Sequence, residues 1–215
     1  MPRKPPRRTR ERILATALAL FNDAGEPHVT TADIADEMNI SPGNLYYHFR
    51  NKDDIIGELY GALEAAVRPL LAPLGDRAPT IEDLWLFLHL LFERMGEYRF
   101  FYRDLDEITS RNRRIAARFA ALTREGEGAV GALCDGLVAA GAMQASTQER
   151  AALARNVALV ATYWMSFQRI GQAAAAPARA ALDPGAAAYQ VLSLVAPFLV
   201  GDARALVERL SHDYL

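Results

Sequence analysis

Residues 33–52 read Asp33-Ile34-Ala35-Asp36-Glu37-Met38-Asn39-Ile40-Ser41-Pro42-Gly43-Asn44-Leu45-Tyr46-Tyr47-His48-Phe49-Arg50-Asn51-Lys52, and their spacing predicts two short helices joined by a tight turn. Just upstream, Thr30 is a good N-cap residue. Asp33, three positions later, reaches back to the free backbone N–H as in a capping box. Ile34, Ala35 and Met38 fall on one face at helical spacing. Asn39 follows, and after Gly it is the residue that best tolerates the left-handed conformation that stops a helix sharply. Ile40 plugs the gap between the helices. Ser41 and Pro42 form a second N-cap with Pro at the first helical position, and Pro pushes Ser41 toward the extended conformation a cap adopts. Leu45 and Phe49, four apart, pack back on Ile34, Met38 and Ile40.

Gly43, Asn44, Tyr46, Tyr47 and His48 are left on the outer surface. Gly43 admits close approach of a partner. Asn44 has the amide needed for bidentate adenine readout, and Tyr46, Tyr47 and His48 carry donors for phosphate oxygens; either tyrosine alone would also serve as core. A second helix with such a surface is what a helix-turn-helix reader of DNA requires. Asn51 caps the next helix, and Asp53 and Asp54 suit its positive end. Lys52 in that first turn opposes the dipole by about 0.3–1 kcal/mol. A phosphate at the helix end compensates, as does a nearby acid paired with the lysine.

The chain has 215 residues, is 51% hydrophobic and carries a net charge of −2, enough for one or two domains with a proper core. Cys134 is the only cysteine, which excludes an internal disulfide and a cysteine-based zinc site. Residues 1–12 hold six basic residues against Glu11, or 6 − 1 = +5. They read as a disordered basic arm, residues 1–8, leading into the first helix and suited to the phosphate backbone or the minor groove; a solubilising tail is the alternative. No apolar run follows it, so it is not a signal peptide. The longest apolar run, residues 191–200, is interrupted by Ser193 and Pro197, and a membrane span needs about 20 residues. A soluble, cytoplasmic protein with no membrane partner is expected.

An all-α fold is expected. Ile13, Leu14, Ala17, Leu18 and Phe21 form the inward stripe of a first helix capped by Thr9 and ended by Gly25. With the two helices above it makes a three-helix DNA-binding head over residues 9–52. Residues 53–215 then form a helical domain. Its first helix, from Lys52, carries Ile56, Leu59, Leu63, Val67 and Leu70. Thr80 caps a fifth helix, an aromatic one follows near residues 98–108, and a long one spans 112–140. There Gly126, Gly128 and Gly131 each cost about 1 kcal/mol relative to Ala. Two more run over about 147–174 and 184–199, with a short helix after Gly201. Eight of the ten residues 191–200 are apolar, so that helix must be covered on both sides, and a second chain is the expected cover for one.

Thr30-Thr31-Ala32-Asp33-Ile34-Ala35 together with residues 41–52 resembles the head of TetR-type transcriptional regulators, most strongly over residues 9–56. The family often has Gly where Asn39 stands. Residues 98–105, Tyr-Arg-Phe-Phe-Tyr-Arg-Asp-Leu, are similar to a segment of one subgroup. The resemblance implies a homodimer whose last two long helices form a four-helix interface. It also implies a pocket in each C-terminal domain whose occupancy changes the spacing of the heads. By position, Thr31, Gly43 and Asn44 match family sites near bases, and Tyr46, Tyr47, His48 and Lys52 match phosphate-contacting sites; Thr30 and Ser41 lie on the same surface. The implied operator is a pseudo-palindrome, and an effector that favours the wrong head separation releases it.

A small-molecule pocket needs apolar walls with a few polar groups. Trp85, His89, Phe92, Phe101, Tyr102, Arg103, Tyr163, Trp164, Phe167 and Gln168 supply those types, although each aromatic would serve equally as core. Arg99 and Arg103 suit an anionic ligand, or ion pairs with Asp106 and Glu107. Leu153, Val157, Trp164, Leu192, Val195 and Leu199 are the dimer-interface candidates. No phosphate-cradling loop, metal-ligand cluster or nucleophilic elbow is present, so no cofactor is expected. The function expected is a repressor released from a palindromic DNA operator by an unidentified small-molecule effector. A DNA-binding regulator or activator without an effector is the alternative, and a helical enzyme or carrier the remote one.

Overall fold

The computed structural model describes residues 6–73, 75, 77–172 and 184–212. Among them the secondary structure is helical: α1 Pro6–Ala24, α2 Thr31–Glu37, α3 Pro42–His48, α4 Lys52–Val67, α5 Ile81–Glu97, α6 Arg99–Arg103, α7 Leu105–Arg111, α8 Arg113–Ala139, α9 Thr147–Gln172, α10 Pro184–Val195 and α11 Gly201–His212. One isolated bridge, between Met143 and Leu199, ties the α8–α9 turn to the α10–α11 link.

The caps sit where the local chemistry asks for them. Thr30 and Asp33 form the capping box of α2, with the Thr30 N–H donating to Asp33 at 2.7 Å. Asn39 takes φ 52°. The Ile40 N–H reaches back to the Ala35 carbonyl and the Asn39 N–H to that of Asp36, the paired bonds of a left-handed helix stop. Ser41 and Asn51 cap α3 and α4 through the N–H groups of Asn44 and Asp54. Thr80 with Asp83 opens α5, and Asn112 opens α8.

Three boundaries differ from expectation. The first helix starts at Pro6 rather than Thr9, with Pro in the first turn where its missing N–H costs nothing; residues 1–5 of the basic arm lie outside the described residues. The aromatic helix is two, broken at Asp104, whose carboxylate accepts the Glu26 N–H from across the head. α10 stops at Val195, and the helix changes to a 3₁₀ turn over Ala196–Phe198 because Pro197 cannot donate an α-helical bond. The expected Ala-rich end of α9 lies outside the described residues.

A single apolar core runs from Ile13 in α1 to Val207 in α11. It crosses between head and body through α4, whose Ile55, Ile56, Leu59, Tyr60, Leu63 and Val67 are buried. Phe21 meets Phe100 with centroids 5.3 Å apart, and Tyr60 meets Phe101 at 4.8 Å. The end of α1 is also held by polar bonds. Asn22 donates to the Glu97 carbonyl and accepts the Phe100 N–H, while Arg99 donates to the Asn22 carbonyl. Cations at carbonyls of a helix C-terminus are favourably placed against the dipole.

Candidate nucleic-acid interface and cavity

α2 and α3 bury Ile34, Ala35, Leu45 and Phe49 against α1. The opposite surface of α3 is therefore turned outward. Tyr47 is 80% exposed and Tyr46 52%, and Ser41, Gly43 and Asn44 are exposed. The structure brings these together with Thr31, whose hydroxyl lies 3.0 Å from that of Tyr46. His48 is half-buried, edge-on to Tyr47 at 5.2 Å. Gly43 has open space at its Cβ position, with only the Ser41 hydroxyl as near as 4.0 Å. Packing within the chain does not call for glycine there. Thr30 and Ser41 are exposed but already serve as caps.

Lys52 is corrected. Its ammonium donates to the carbonyls of Glu26 and Val29, both at 3.0 Å, and pairs with the Glu26 carboxylate at 2.8 Å. Three donors meet three acceptors inside the protein, which leaves none for a phosphate. The paired-acid alternative read from the sequence is the one the structure adopts.

In the body, α4, α5, α6, α8 and α9 enclose a cavity with about 540 Å³ of space free of protein atoms, its open mouth included. Val67, Leu71, Phe87, Leu91, Met95, Tyr102, Phe119, Leu122 and Val157 make it apolar, and Thr123 and Thr162 add hydroxyls. No charged side chain lines it. Burial pushes the Tyr102 phenol above its ordinary range, so it stays a neutral donor.

Of the expected ligand residues only Tyr102 lines this cavity. Phe92 and Phe101 are buried in the core. Trp85 and His89 stack on one another at 5.3 Å, away from the lining. Arg103 is taken by the head: Nη2 donates to the Phe21 carbonyl at 2.5 Å, and Nε pairs with Asp104 at 3.2 Å rather than with Asp106 or Glu107. Tyr163 and Phe167 point outward, while Trp164 and Gln168 are half-buried on other faces of α9. The aliphatic lining was missed because cavity walls and filled core share one periodicity.

The dimer candidates need a similar correction. Leu153, Val157, Leu192, Val195 and Leu199 are buried within the protomer, covered by α5, α8 and one another's helices. Trp164 is half-buried and stacks on Phe167 at 5.9 Å. The uncovered stripe of α9 is Leu159, Tyr163, Phe167 and Ile170, with Phe167 67% and Ile170 75% exposed. Their spacing of four, four and three keeps them on one face.

No helix among the described residues is long and apolar enough to cross a membrane, and no three His, Cys, Asp or Glu groups gather as a metal site there. Cys134 is buried, its thiol pushed up to about 11 by that burial, which keeps it protonated and unreactive.

A short, outward-facing recognition helix on a rigid turn, backed by a helical body with a cavity, defines a helix-turn-helix DNA-binding regulator. A family model described as "Bacterial regulatory proteins, tetR family" matches residues 13–59, and one described as "Bacterial transcriptional repressor" matches residues 62–207. The chain belongs to the TetR family of transcriptional regulators. A TetR-family regulator from Marinobacter aquaeolei VT8 superposes with a TM-score of 0.85 at 37% identity, over 96% of this chain and 98% of that one. A regulator from Saccharomonospora viridis in complex with choline shares the fold, with a TM-score of 0.68 at 19% identity over 91% and 99%. The probable acrEF/envCD operon repressor of Escherichia coli (strain K12) is 38% identical over 53 residues, 25% of this chain. That match spans about a quarter of the curated relative's length, 24%.

Proposed function

We propose that the chain is a repressor that binds a pseudo-palindromic operator as a homodimer and leaves it when a small uncharged molecule fills the body cavity. The outer surface of α3 carries this reading. Asn44 is placed to read a base edge and Gly43 to let the backbone come close. Thr31 lies beside them near the bases, and Tyr46, Tyr47, His48 and, from their cap positions, Thr30 and Ser41 face the sugar–phosphate backbone. The stripe Leu159, Tyr163, Phe167 and Ile170 packs on the partner's copy, since a contiguous apolar face on a helix asks to be covered.

The cavity supports an effector. Its apolar walls, with hydroxyls set among them, are the lining a small-molecule site needs. A charged molecule would lose its hydration there and find no countercharge in the lining. An apolar, largely uncharged compound with an acceptor for the Tyr102 or Thr162 hydroxyl is the class that fits; the Thr123 hydroxyl already donates to the Phe119 carbonyl at 3.0 Å. A protein of the same fold was seen holding choline, a cation; the uncharged lining here asks for a different guest.

Binding of the purified protein to DNA from upstream of its own gene, against random duplex across a salt series, tests the reading. Specific, steeply salt-dependent binding with two chains per duplex is expected. Weak binding that is equal on both DNAs would sink it.

A further inference from the structure

Glu26 is fully buried, and a buried carboxylate is tolerated only when paired. It sits in the one-turn 3₁₀ helix between α1 and α2, four residues before the Thr30 cap. Its Oε1 receives two cations: Lys52 Nζ at 2.8 Å from the start of α4, and Arg111 Nη2 at 2.9 Å from the end of α7. Oε2 has no hydrogen-bond partner among the described residues. Arg111 also holds Asp53 through Nε at 3.1 Å. The Glu26 N–H donates to Asp104 at 2.9 Å, and the neighbouring Arg103 grips the last carbonyls of α1. One oxygen thus joins the entrance to α2, the exit from α3 and the body.

Apolar contacts between head and body, such as Phe21 on Phe100, define a distance but slide easily. A buried carboxylate shared by two cations is directional, and moving it by a bond length strands the Glu26 charge in the interior. The body-side anchors also adjoin the cavity: Tyr102 lines it, and the next two residues are Arg103 and Asp104.

We propose that Glu26 is a positioning residue that fixes the bearing of the DNA-reading helices against the body, and so sets the half-site spacing the dimer accepts. This rests on the operator reading above. Inserting one base pair between half-sites moves them by about 3.4 Å and turns them by about 35°. A head held by a rigid joint pays for that displacement in affinity, whereas a loosened head follows it.

The test uses full-length protein and a duplex that the wild type selects from a random pool, remade with one base pair added or removed between the half-sites. Wild type, Glu26→Gln and Arg111→Met are compared for affinity at each spacing, salt slope and thermal melting. Arg111 lies at the rim of the site, so its variant carries the test if Glu26→Gln does not fold. The wild type should prefer its own spacing, and both variants should narrow that preference on the order of 10-fold with an unchanged salt slope. Arg111→Lys should restore part of it. Variants that lose affinity equally at all spacings, or that match the wild type, would overturn the proposal while leaving the operator reading intact. A wild type that selects no duplex, or binds every spacing alike, would overturn both.

Discussion

The reading head and the cavity-bearing body solve opposite problems with the same element. In the head, α2 and α3 are seven residues each, too short to persist on backbone bonds alone. Capping side chains and a small, filled core hold them, with Leu45, Ile34 and Ala35 wholly buried. In the body, α8 and α9 run to 27 and 26 residues; they are capped too, but their long packed faces carry more of the load and leave a hollow between them. Rigidity is concentrated where a surface must be presented, and space is left where something must enter.

The sharpest way to break this comparison is to shorten one leucine in each place. Leu45→Ala opens a cavity in a filled core and should cost about 2–5 kcal/mol. Leu122→Ala, at the cavity wall, enlarges a void that already exists. It should cost less, nearer the transfer value of the lost methylenes, about 2 kcal/mol. Urea unfolding of both variants decides it; equal losses would mean that the cavity is not a true gap in packing.

Within α8 the same contrast recurs at smaller scale. A Cβ at Gly136 would run into the Pro79 ring, while one at Gly131 meets nothing within 4 Å. Gly136→Ala should destabilise by about 1–3 kcal/mol through overpacking. Gly131→Ala should stabilise by up to about 1 kcal/mol through helix propensity. Opposite shifts in melting temperature are expected, and shifts of one sign would contradict the packing at Pro79. On the head, Asn44→Ala removes an exposed side chain and should leave stability within about 0.5 kcal/mol. It should relax base preference at one operator position by about 1–3 kcal/mol, read by competition among single-base variants of the duplex.

How much of this was legible in the sequence follows from the range of each signal. The caps at Thr30, Ser41, Asn51 and Thr80, and the left-handed stop at Asn39, each depend on residues within about five positions, and local pattern reading reaches that far. The role of Lys52 depends on Glu26, 26 residues away; dipole reasoning exposed the anomaly, but only folding shows which anion resolves it. Arg103 finds its carbonyls 82 positions upstream. Aromatic type was a poor guide to the cavity, because Leu91, Leu122 and Val157 line it with the periodicity of ordinary core. In α9 the uncovered face is Leu159, Tyr163, Phe167 and Ile170, of which Tyr163 and Phe167 read as pocket residues in the sequence. The buried stripe had drawn the interface assignment because burial within a chain and burial between chains look alike in one dimension.

The smallest expected effect separates the charged part of a cap from its geometry. Asp33 closes the box on α2 in the head and Asp83 on α5 in the body. The Asp33 carboxyl is held below its usual range by the Thr30 N–H and then by the Thr30 hydroxyl. Asp83 is lowered to about 2, first by its hydrogen bonds from Arg77, which outweigh the upward push from burial, and also by the Thr80 N–H. In the unfolded chain both return to about 3.9, so there the chain binds more protons. Their stabilisation is therefore complete above pH ~4 and is lost as pH falls through the folded value. For Asp83 that window runs from about pH 4 down to about 2. Asp83→Asn should melt below the wild type at neutral pH, and the gap should close across that window; Asp33→Asn should behave with the same sign. A gap that persists at pH 2 would assign the cap's contribution to shape and hydrogen bonding rather than to charge, in the head's box and the body's alike.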